Sequence, residues 1–289
     1  LEHREDDSSS NPAYGRAATS VALEYRGSFA SGLDVQAGAR FDDNDVFKDA
    51  TTWNLGLSYL LGNGVRLHGS AGEGVVNPSY YELYDSYGGT GNPDLQPERN
   101  LSFDLGVELP IFGDRGTVDV TLFKERLTDE ITDVSTDTGY TYINQTGNSD
   151  RRGVEIAGVL DATDALSLRL GYTYLEAENP DKSVEIRRPR HELTLGGTLD
   201  AFGGRGSVSA DLRHVAGNYD TQSWGDSQTV KPTVKLPSST AVNVAAHYDL
   251  TDRVQLTGRV ENLFDADATE VWGYATRGRA VYVGLNAQF

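Results

Sequence analysis

Apolar and polar residues alternate along most of this chain. Every odd position from Leu101 to Leu109 is apolar and every even one is polar or glycine, and Val118–Leu122 and Val281–Phe289 follow a similar rule. Successive side chains of a β-strand point to opposite faces, so a period of two indicates strands with one apolar and one polar face. The pattern therefore predicts an all-β fold, and we find no segment with helical periodicity.

Thirteen strands can be placed from this pattern and from the turn residues between them. They span residues 14–26, 33–41, 52–60, 65–75, 100–109, 117–128, 140–160, 166–175, 191–199, 206–216, 241–250, 253–263 and 279–289. The connections alternate between short turns and mostly long, polar loops, the latter at 42–51, 76–99, 129–139, 176–190, 217–240 and 264–278. Short turns at one end and long loops at the other are typical of bacterial outer-membrane barrels.

Alternation alone is compatible with two folds. In a soluble β-sandwich the apolar face would form the core and the charges would face water. In a membrane barrel the apolar face meets lipid and the charges line a wet lumen. The loop asymmetry and the terminal aromatic residue, Phe289, favour the barrel. We interpret Phe289 as a signal that is read by the barrel assembly machinery.

The number of strands makes a further prediction. Thirteen antiparallel strands would leave the first and last running in the same direction, whereas bacterial single-chain barrels have even strand numbers. We therefore expect a strand before residue 14, and residues 1–7 are suited to be its extracellular end. The alternative is a miscount, because the long segment 140–160 could contain a break near residues 147–150.

Composition excludes several classes. The chain has 289 residues and a formal net charge of −18, which argues against nucleic acid as a partner. There is no cysteine, so no disulfide framework is expected. No window approaches 18 consecutive apolar residues, so no membrane helix is predicted. The chain opens on Leu1 without a leader, so we expect a mature chain or a piece of a longer one.

Three motifs occur in order along the chain. They are Asn77-Pro-Ser-Tyr-Tyr-Glu-Leu-Tyr84 with Gly91-Asn-Pro-Asp-Leu-Gln-Pro-Glu98, then Tyr142-Ile-Asn-Gln-Thr146 leading to Arg152-Gly-Val-Glu-Ile156, and finally Glu261-Asn-Leu-Phe-Asp265 with Gly273-Tyr-Ala-Thr-Arg-Gly-Arg279. Together they resemble the TonB-dependent outer-membrane transporters, and the resemblance covers essentially the whole chain. The closing segment is most similar to the vitamin B12 branch of that family.

The resemblance implies a transmembrane antiparallel barrel of 22 strands that is filled by a plug, and the plug pairs with TonB. The present sequence then corresponds to the C-terminal portion, about 13–14 strands in a single region over residues 1–289, without the plug. It implies an outer-membrane location, contact with lipid and lipopolysaccharide, and uptake of a scarce small molecule. Cobalamin is the favoured ligand, a ferric siderophore or haem is the alternative, and a passive porin is the alternative of another class.

Candidate ligand contacts lie in the predicted long loops. Tyr84 and Tyr87 could line an extracellular vestibule, or could instead pack the loop against the rim. Arg187 and Arg188 could grip a carboxylate or phosphate. The aromatic residues Tyr219 and Trp224 could hold a flat ligand, or could equally pack against the rim. Trp272 and Tyr274 are interpreted as part of the aromatic girdle.

We do not expect an enzyme. The sequence has neither HExxH nor G-x-S-x-G, and its five histidines are scattered. We therefore predict no catalytic residue, no metal site and no cofactor.

Overall fold

The computed structural model describes residues 1–8, 14–84, 91–136, 139–222 and 232–288. Eighteen strands account for most of these residues. The first nine are β1 Glu2–Asp7, β2 Gly15–Ser28, β3 Leu33–Asn44, β4 Ala50–Leu60, β5 Arg66–Val76, β6 Glu98–Ile111, β7 Gly116–Thr128, β8 Ile131–Thr136 and β9 Gly139–Asn144. The other nine are β10 Asn148–Thr163, β11 Leu166–Glu178, β12 His191–Ala201, β13 Gly206–Ala216, β14 Tyr219–Thr221, β15 Thr233–Lys235, β16 Ser239–Thr251, β17 Val254–Glu261 and β18 Ala280–Ala287.

Fourteen of these strands form one sheet in which they follow chain order. The order is β1-β2-β3-β4-β5-β6-β7-β10-β11-β12-β13-β16-β17-β18. The four remaining strands form two separate hairpins, β8–β9 and β14–β15, and each hairpin lies within one long connection of the sheet. Both hairpins are therefore parts of long connections between strands of the sheet.

Thirteen of the sheet strands correspond to predicted strands. The fourteenth, β1, confirms the prediction of a strand before residue 14. Strand β1 pairs antiparallel with β2, from Glu2 opposite Ser20 to Asp7 opposite Gly15. The prediction of one continuous strand over 140–160 is wrong. The chain breaks at Gly147, which has φ +102°, and the first half turns away to pair with β8 as β9.

The described residues group into two compact units. One contains residues 1–106, 123–152 and 178–183, and the other contains residues 107–122, 153–177 and 184–289. The fold has only two short helices among the described residues, α1 at Tyr80–Tyr84 and a 3-10 turn at Phe202–Gly204. Neither helix is long enough to cross a bilayer.

Within each unit the apolar face of the strands is open. Leu23 is 79% exposed, Leu105 66% and Val283 78%, although a sandwich core would bury such side chains. The fully buried apolar residues lie mainly in the long loops and beside them, as Leu83, Leu95 and Leu236 show. This distribution matches a sheet whose apolar face meets lipid rather than a second protein layer.

Matched substitutions on β6 test which face meets lipid. Leu105 is outward-facing near the middle of the strand, and Ser102 lies on the opposite face. We expect Leu105→Arg to lower the free energy of unfolding by about 2–4 kcal/mol, because it places a cation near the membrane midplane, and Ser102→Arg to lower it by less than about 1 kcal/mol. Denaturant titration of the protein folded into phospholipid vesicles measures both. Equal losses would contradict the assignment of faces.

Candidate functional site

The described part of the chain contains four of the six predicted ligand contacts. Tyr84 lies in the first unit, whereas Arg187, Arg188 and Tyr219 lie in the second. Tyr87 and Trp224 lie outside the described residues, as does the predicted assembly signal Phe289. The two sets are therefore considered separately.

The helix that carries Tyr84 is fixed by a capping box. The Ser79 hydroxyl accepts a hydrogen bond from the Glu82 backbone N–H at 3.3 Å, and the Glu82 carboxylate accepts one from the Ser79 backbone N–H at 2.7 Å. This reciprocal pairing satisfies two backbone donors at a helix start. The sequence Ser79-Tyr-Tyr-Glu82 carries the capping-box pattern, but a helix of five residues is too short to show helical periodicity.

The tyrosines of this helix are engaged with the protein. Tyr84 stacks on Tyr14 with ring centroids 3.9 Å apart. Tyr80 donates a hydrogen bond to the Asp6 carbonyl oxygen at 2.6 Å, and the Arg16 guanidinium lies 4.9 Å from its ring centroid. These contacts favour packing of the loop as the role of Tyr80 and Tyr84.

Tyr81 connects the helix to the β8–β9 hairpin. Its hydroxyl oxygen lies 2.7 Å from that of Tyr140, and its ring meets Tyr142 edge-on at 6.0 Å. Two asparagines of the sequence motifs join this hairpin to the segment that follows the helix, Asn92 from the segment and Asn144 from the hairpin. Asn92 donates to the Tyr142 carbonyl oxygen at 2.8 Å, and Asn144 exchanges two hydrogen bonds of 2.8 Å with the backbone of Gln96. The motifs therefore hold these two long connections together.

The C-terminal motif does the same for the last long loop. Asn262, at φ +48°, exchanges two hydrogen bonds of 2.8 Å with the backbone of Ala266, and its backbone N–H donates to Asn243. The Asp265 carboxylate accepts from the Arg279 backbone N–H at 2.7 Å. Gly278 leaves room for that carboxylate, since a Cβ there would lie 2.7 Å from it.

Asp220 is the centre of the second set of residues. Its side chain is fully buried and lies 3.0 Å from the Arg187 guanidinium, which is half exposed. One carboxylate oxygen accepts from the Thr221 backbone N–H at 2.8 Å, and the other from the Trp272 backbone N–H at 2.7 Å. Arg187 also donates its own backbone N–H to the Tyr219 carbonyl oxygen at 2.8 Å. Asp220 thus joins three long connections, and we call this group the Asp220 clamp.

The clamp stabilises the charged form of Asp220. Burial by itself would raise the pKa of the carboxyl, but the hydrogen bonds from Trp272 and Thr221 and the Arg187 charge outweigh it, so the pKa is lowered. A carboxyl group whose pKa is lowered in the folded protein stabilises the fold when the pH is above the ordinary pKa of aspartate. That contribution is lost only as the pH falls through the lowered value.

The other arginines of the 184–190 segment differ in their partners. Arg188 lies 3.0 Å from Glu185, whose side chain is mostly buried. Arg190 is exposed, and among the described residues it makes no ion pair. Arg187 and Arg188 are therefore neutralised, and within the described ranges only Arg190 of this segment has no acidic partner.

A groove of about 650 Å³ lies beside the clamp. Leu236, Pro237, Trp272, Tyr274 and Thr276 contribute to its lining, and Tyr274 is 60% exposed. Trp272 and Tyr274 were assigned to the aromatic girdle, but their place in this loop groove gives them a second possible role. The Trp272 backbone is held by Asp220, which is 52 residues away in the chain, so no local sequence pattern could have revealed this contact.

The model of one family, described as "TonB dependent receptor-like, beta-barrel", matches residues 4–263. The chain belongs to the TonB-dependent receptor family. Members of this family lie in the bacterial outer membrane, so the apolar face of the receptor's strands meets lipid.

Individual receptors were compared as well. The chain is 27% identical over 262 residues to the vitamin B12 transporter BtuB of Photobacterium profundum, a match over 88% of this chain and 40% of that protein. It superposes with a TM-score of 0.77 on a variant of the ferric enterobactin receptor PfeA of Pseudomonas aeruginosa, at 20% identity, over 95% of this chain and 46% of that one. The copper transporter OprC gives 0.75 at 18% identity, over 95% and 48%.

These comparisons establish the fold and the family. The chain spans well under half the length of the curated relatives it matches. The solved structures are less than 25% identical and are named for different substrates, so they show the fold alone.

Removal of the Asp220 carboxylate tests the clamp. Asp220→Ala leaves the Trp272 backbone N–H without its acceptor, so its amide hydrogen should exchange at least about tenfold faster, which corresponds to about 1.4 kcal/mol. Hydrogen–deuterium exchange with mass spectrometry measures this at neutral pH. Asp181→Ala is the control, because the Asp181 carboxylate accepts hydrogen bonds from Ser183 within its own turn and from no member of the clamp. Unchanged exchange at Trp272 in Asp220→Ala would refute the clamp.

Proposed function

We propose that this chain forms the wall and extracellular loops of an active outer-membrane receptor that imports cobalamin. The observation that carries the choice of ligand is the neutralisation of Arg187 by the buried Asp220. With Arg188 also paired, the described loops offer aromatic and amide groups rather than a cluster of cations. Such groups suit a large ligand with little net charge, because they provide apolar area and hydrogen bonds together.

The clamp also suggests how the ligand is received. Trp272 and Tyr274 line the groove, and Tyr219 lies next to Asp220 in the chain. Because Asp220 holds Arg187 and Trp272 through separate oxygens, this part of the rim is ordered before a ligand arrives. An ordered site loses less conformational entropy on binding. Tyr87 and Trp224, which lie outside the described residues, are proposed as further aromatic contacts.

Relatives support the corrinoid over other cargo. BtuB of Photobacterium profundum and BtuB of Vibrio vulnificus are named vitamin B12 transporters, and each is 27% identical to this chain. The remaining steps are inferred from the family. Energy would reach the receptor through TonB and a plug, the barrel assembly machinery would read Phe289, and the rim would contact lipopolysaccharide.

A ferric siderophore or haem is the second candidate. Arg190 is exposed and has no ion pair in the described ranges, so it could bind an anionic ligand. This alternative predicts dependence on arginine, whereas the corrinoid proposal predicts dependence on aromatic side chains. A passive porin, the third candidate, would admit solutes without TonB.

Binding measurements separate these candidates. We expect the receptor to bind cobalamin, and expect Trp272→Ala and Trp224→Ala each to weaken binding about tenfold or more, since base-sized aromatic contacts contribute roughly 1–3 kcal/mol. Arg190→Ala should leave cobalamin binding within about twofold. Tyr25→Ala, at a lipid-facing position, is the control for loss of an aromatic side chain.

Isothermal titration of the purified receptor with cobalamin and with ferric enterobactin gives the readout. Binding of the siderophore but not of cobalamin, with loss of that binding in Arg190→Ala, would replace the corrinoid by the anionic ligand. Uptake that persists in cells without TonB would instead favour a porin.

A further inference from the structure

Two short turns of the receptor share four of their five residues and differ only at Asp114 and Gly204. Phe112-Gly-Asp-Arg-Gly116 connects β6 to β7, and Phe202-Gly-Gly-Arg-Gly206 connects β12 to β13. In each turn the first three residues have positive φ, between 51° and 67° in the first and between 58° and 83° in the second. Left-handed phenylalanine is uncommon, so its repetition indicates a specific device.

The arginine of each turn is bound to the end of a neighbouring strand, β10 for Arg115 and β16 for Arg205. Arg115 donates to the carbonyl oxygen of Asp161 from Nε at 2.9 Å, and its Nη2 also reaches that of Ala162. Arg205 donates from Nη2 to the carbonyl oxygens of Asp249 at 2.7 Å and Leu250 at 3.0 Å. In both cases Nη1 makes no hydrogen bond to the described residues, so a donor remains available.

The two turns differ in what lies above them. Ile111 and Leu160, which are next to the first turn and its Asp161 partner, line an apolar groove of about 610 Å³ on the lipid-facing side. The corresponding position above the second turn is filled. The ring centroids of Phe202 and Tyr248 are 5.3 Å apart, and the Arg205 guanidinium lies 5.0 Å from the Tyr248 centroid.

Small residues make the groove concave. Gly158, Gly197 and Ala210 lie on the outward face between Leu168, Leu170 and Leu195. Gly197 and Ala210 are each four residues from the periplasmic ends of β12 and β13, which places them about 13 Å along the strand. The hollow therefore lies in the periplasmic half of the bilayer, where acyl chains of glycerophospholipids are found.

We propose that this groove is a binding site for a zwitterionic glycerophospholipid. The phosphate binds the Arg115 guanidinium and one acyl chain fills the hollow over Gly158, Gly197 and Ala210. Carboxylates in the two adjoining turns, Asp114 and Asp164, favour a headgroup that also carries a cation, as an ethanolamine does. A lipid of this type would pair its phosphate with the Arg115 guanidinium while its acyl chain fills the apolar hollow.

Filling the groove tests the acyl-chain part of the proposal. Ala210→Phe places a ring in the hollow, whereas Ala246→Phe adds the same ring at an exposed, outward-facing position outside it. Native mass spectrometry of detergent-purified receptor, titrated with phosphatidylethanolamine, counts bound lipid. We expect at least fivefold less binding in Ala210→Phe and no change in Ala246→Phe. Equal binding by the two variants would overturn the proposal.

The repeated turn supplies the control for the phosphate part. Arg115→Gln and Arg205→Gln each remove hydrogen bonds from a turn to a neighbouring strand. The lining of the groove comes within one residue of the first turn, at Ile111, and only within four residues of the second. We expect Arg115→Gln alone to lose phosphatidylethanolamine, and we expect diacylglycerol, which lacks phosphate, not to bind to the unaltered receptor. Equal loss in both variants, or binding of diacylglycerol as strong as that of phosphatidylethanolamine, would show that no phosphate is recognised. Binding of lipid A in preference to phosphatidylethanolamine would also refute the assignment.

Discussion

The structure depends on one constraint, which is that backbone N–H and C=O groups cannot be left unpaired in hydrocarbon. A meander of neighbouring antiparallel strands pairs these groups between adjacent strands with the shortest connections, and the fourteen-stranded order follows chain order for that reason. Once the backbone is paired in this way, the side-chain pattern has only to match the two environments. The apolar face can be left exposed to lipid, which is why Leu105 and Val283 contribute nothing to a conventional core.

Because the strands have no apolar core of their own, ordered packing moves to the long connections. Buried Leu83, Leu95 and Leu236 lie there, and asparagine side chains join the loops through paired amide hydrogen bonds. Asn144 and Asn262 each both donate to and accept from backbone groups of a loop segment. An amide suits this position better than a carboxylate because it supplies a donor and an acceptor without a charge.

The sequence predicted what depends on local periodicity and missed what depends on distant partners. Twelve of the thirteen predicted strands coincide with single observed strands, since alternation reports directly on the two faces. The prediction of one strand over 140–160 failed because residues 144–153 are all polar or glycine, so the pattern does not show where one strand ends and the next begins. The partner changes there, from β8 for β9 to β7 and β11 for β10. Likewise, the sequence does not show that Arg187 is paired, because its partner Asp220 is 33 residues away. The candidate ligand contacts themselves remain predictions.

The Asp220 clamp links these observations to selectivity. The Asp220 carboxylate has no exposed surface; its burial favours the neutral form, and two backbone N–H groups and Arg187 offset that and lower its pKa. If an anionic ligand drew Arg187 away, the carboxylate would lose its only cationic partner among the described residues and remain buried, which is unfavourable. The rim thus resists recruitment of Arg187 by anions, whereas an uncharged aromatic or amide contact with the groove leaves the clamp unchanged. On the proposed function, selection against anionic cargo would arise from a residue that need not touch the ligand.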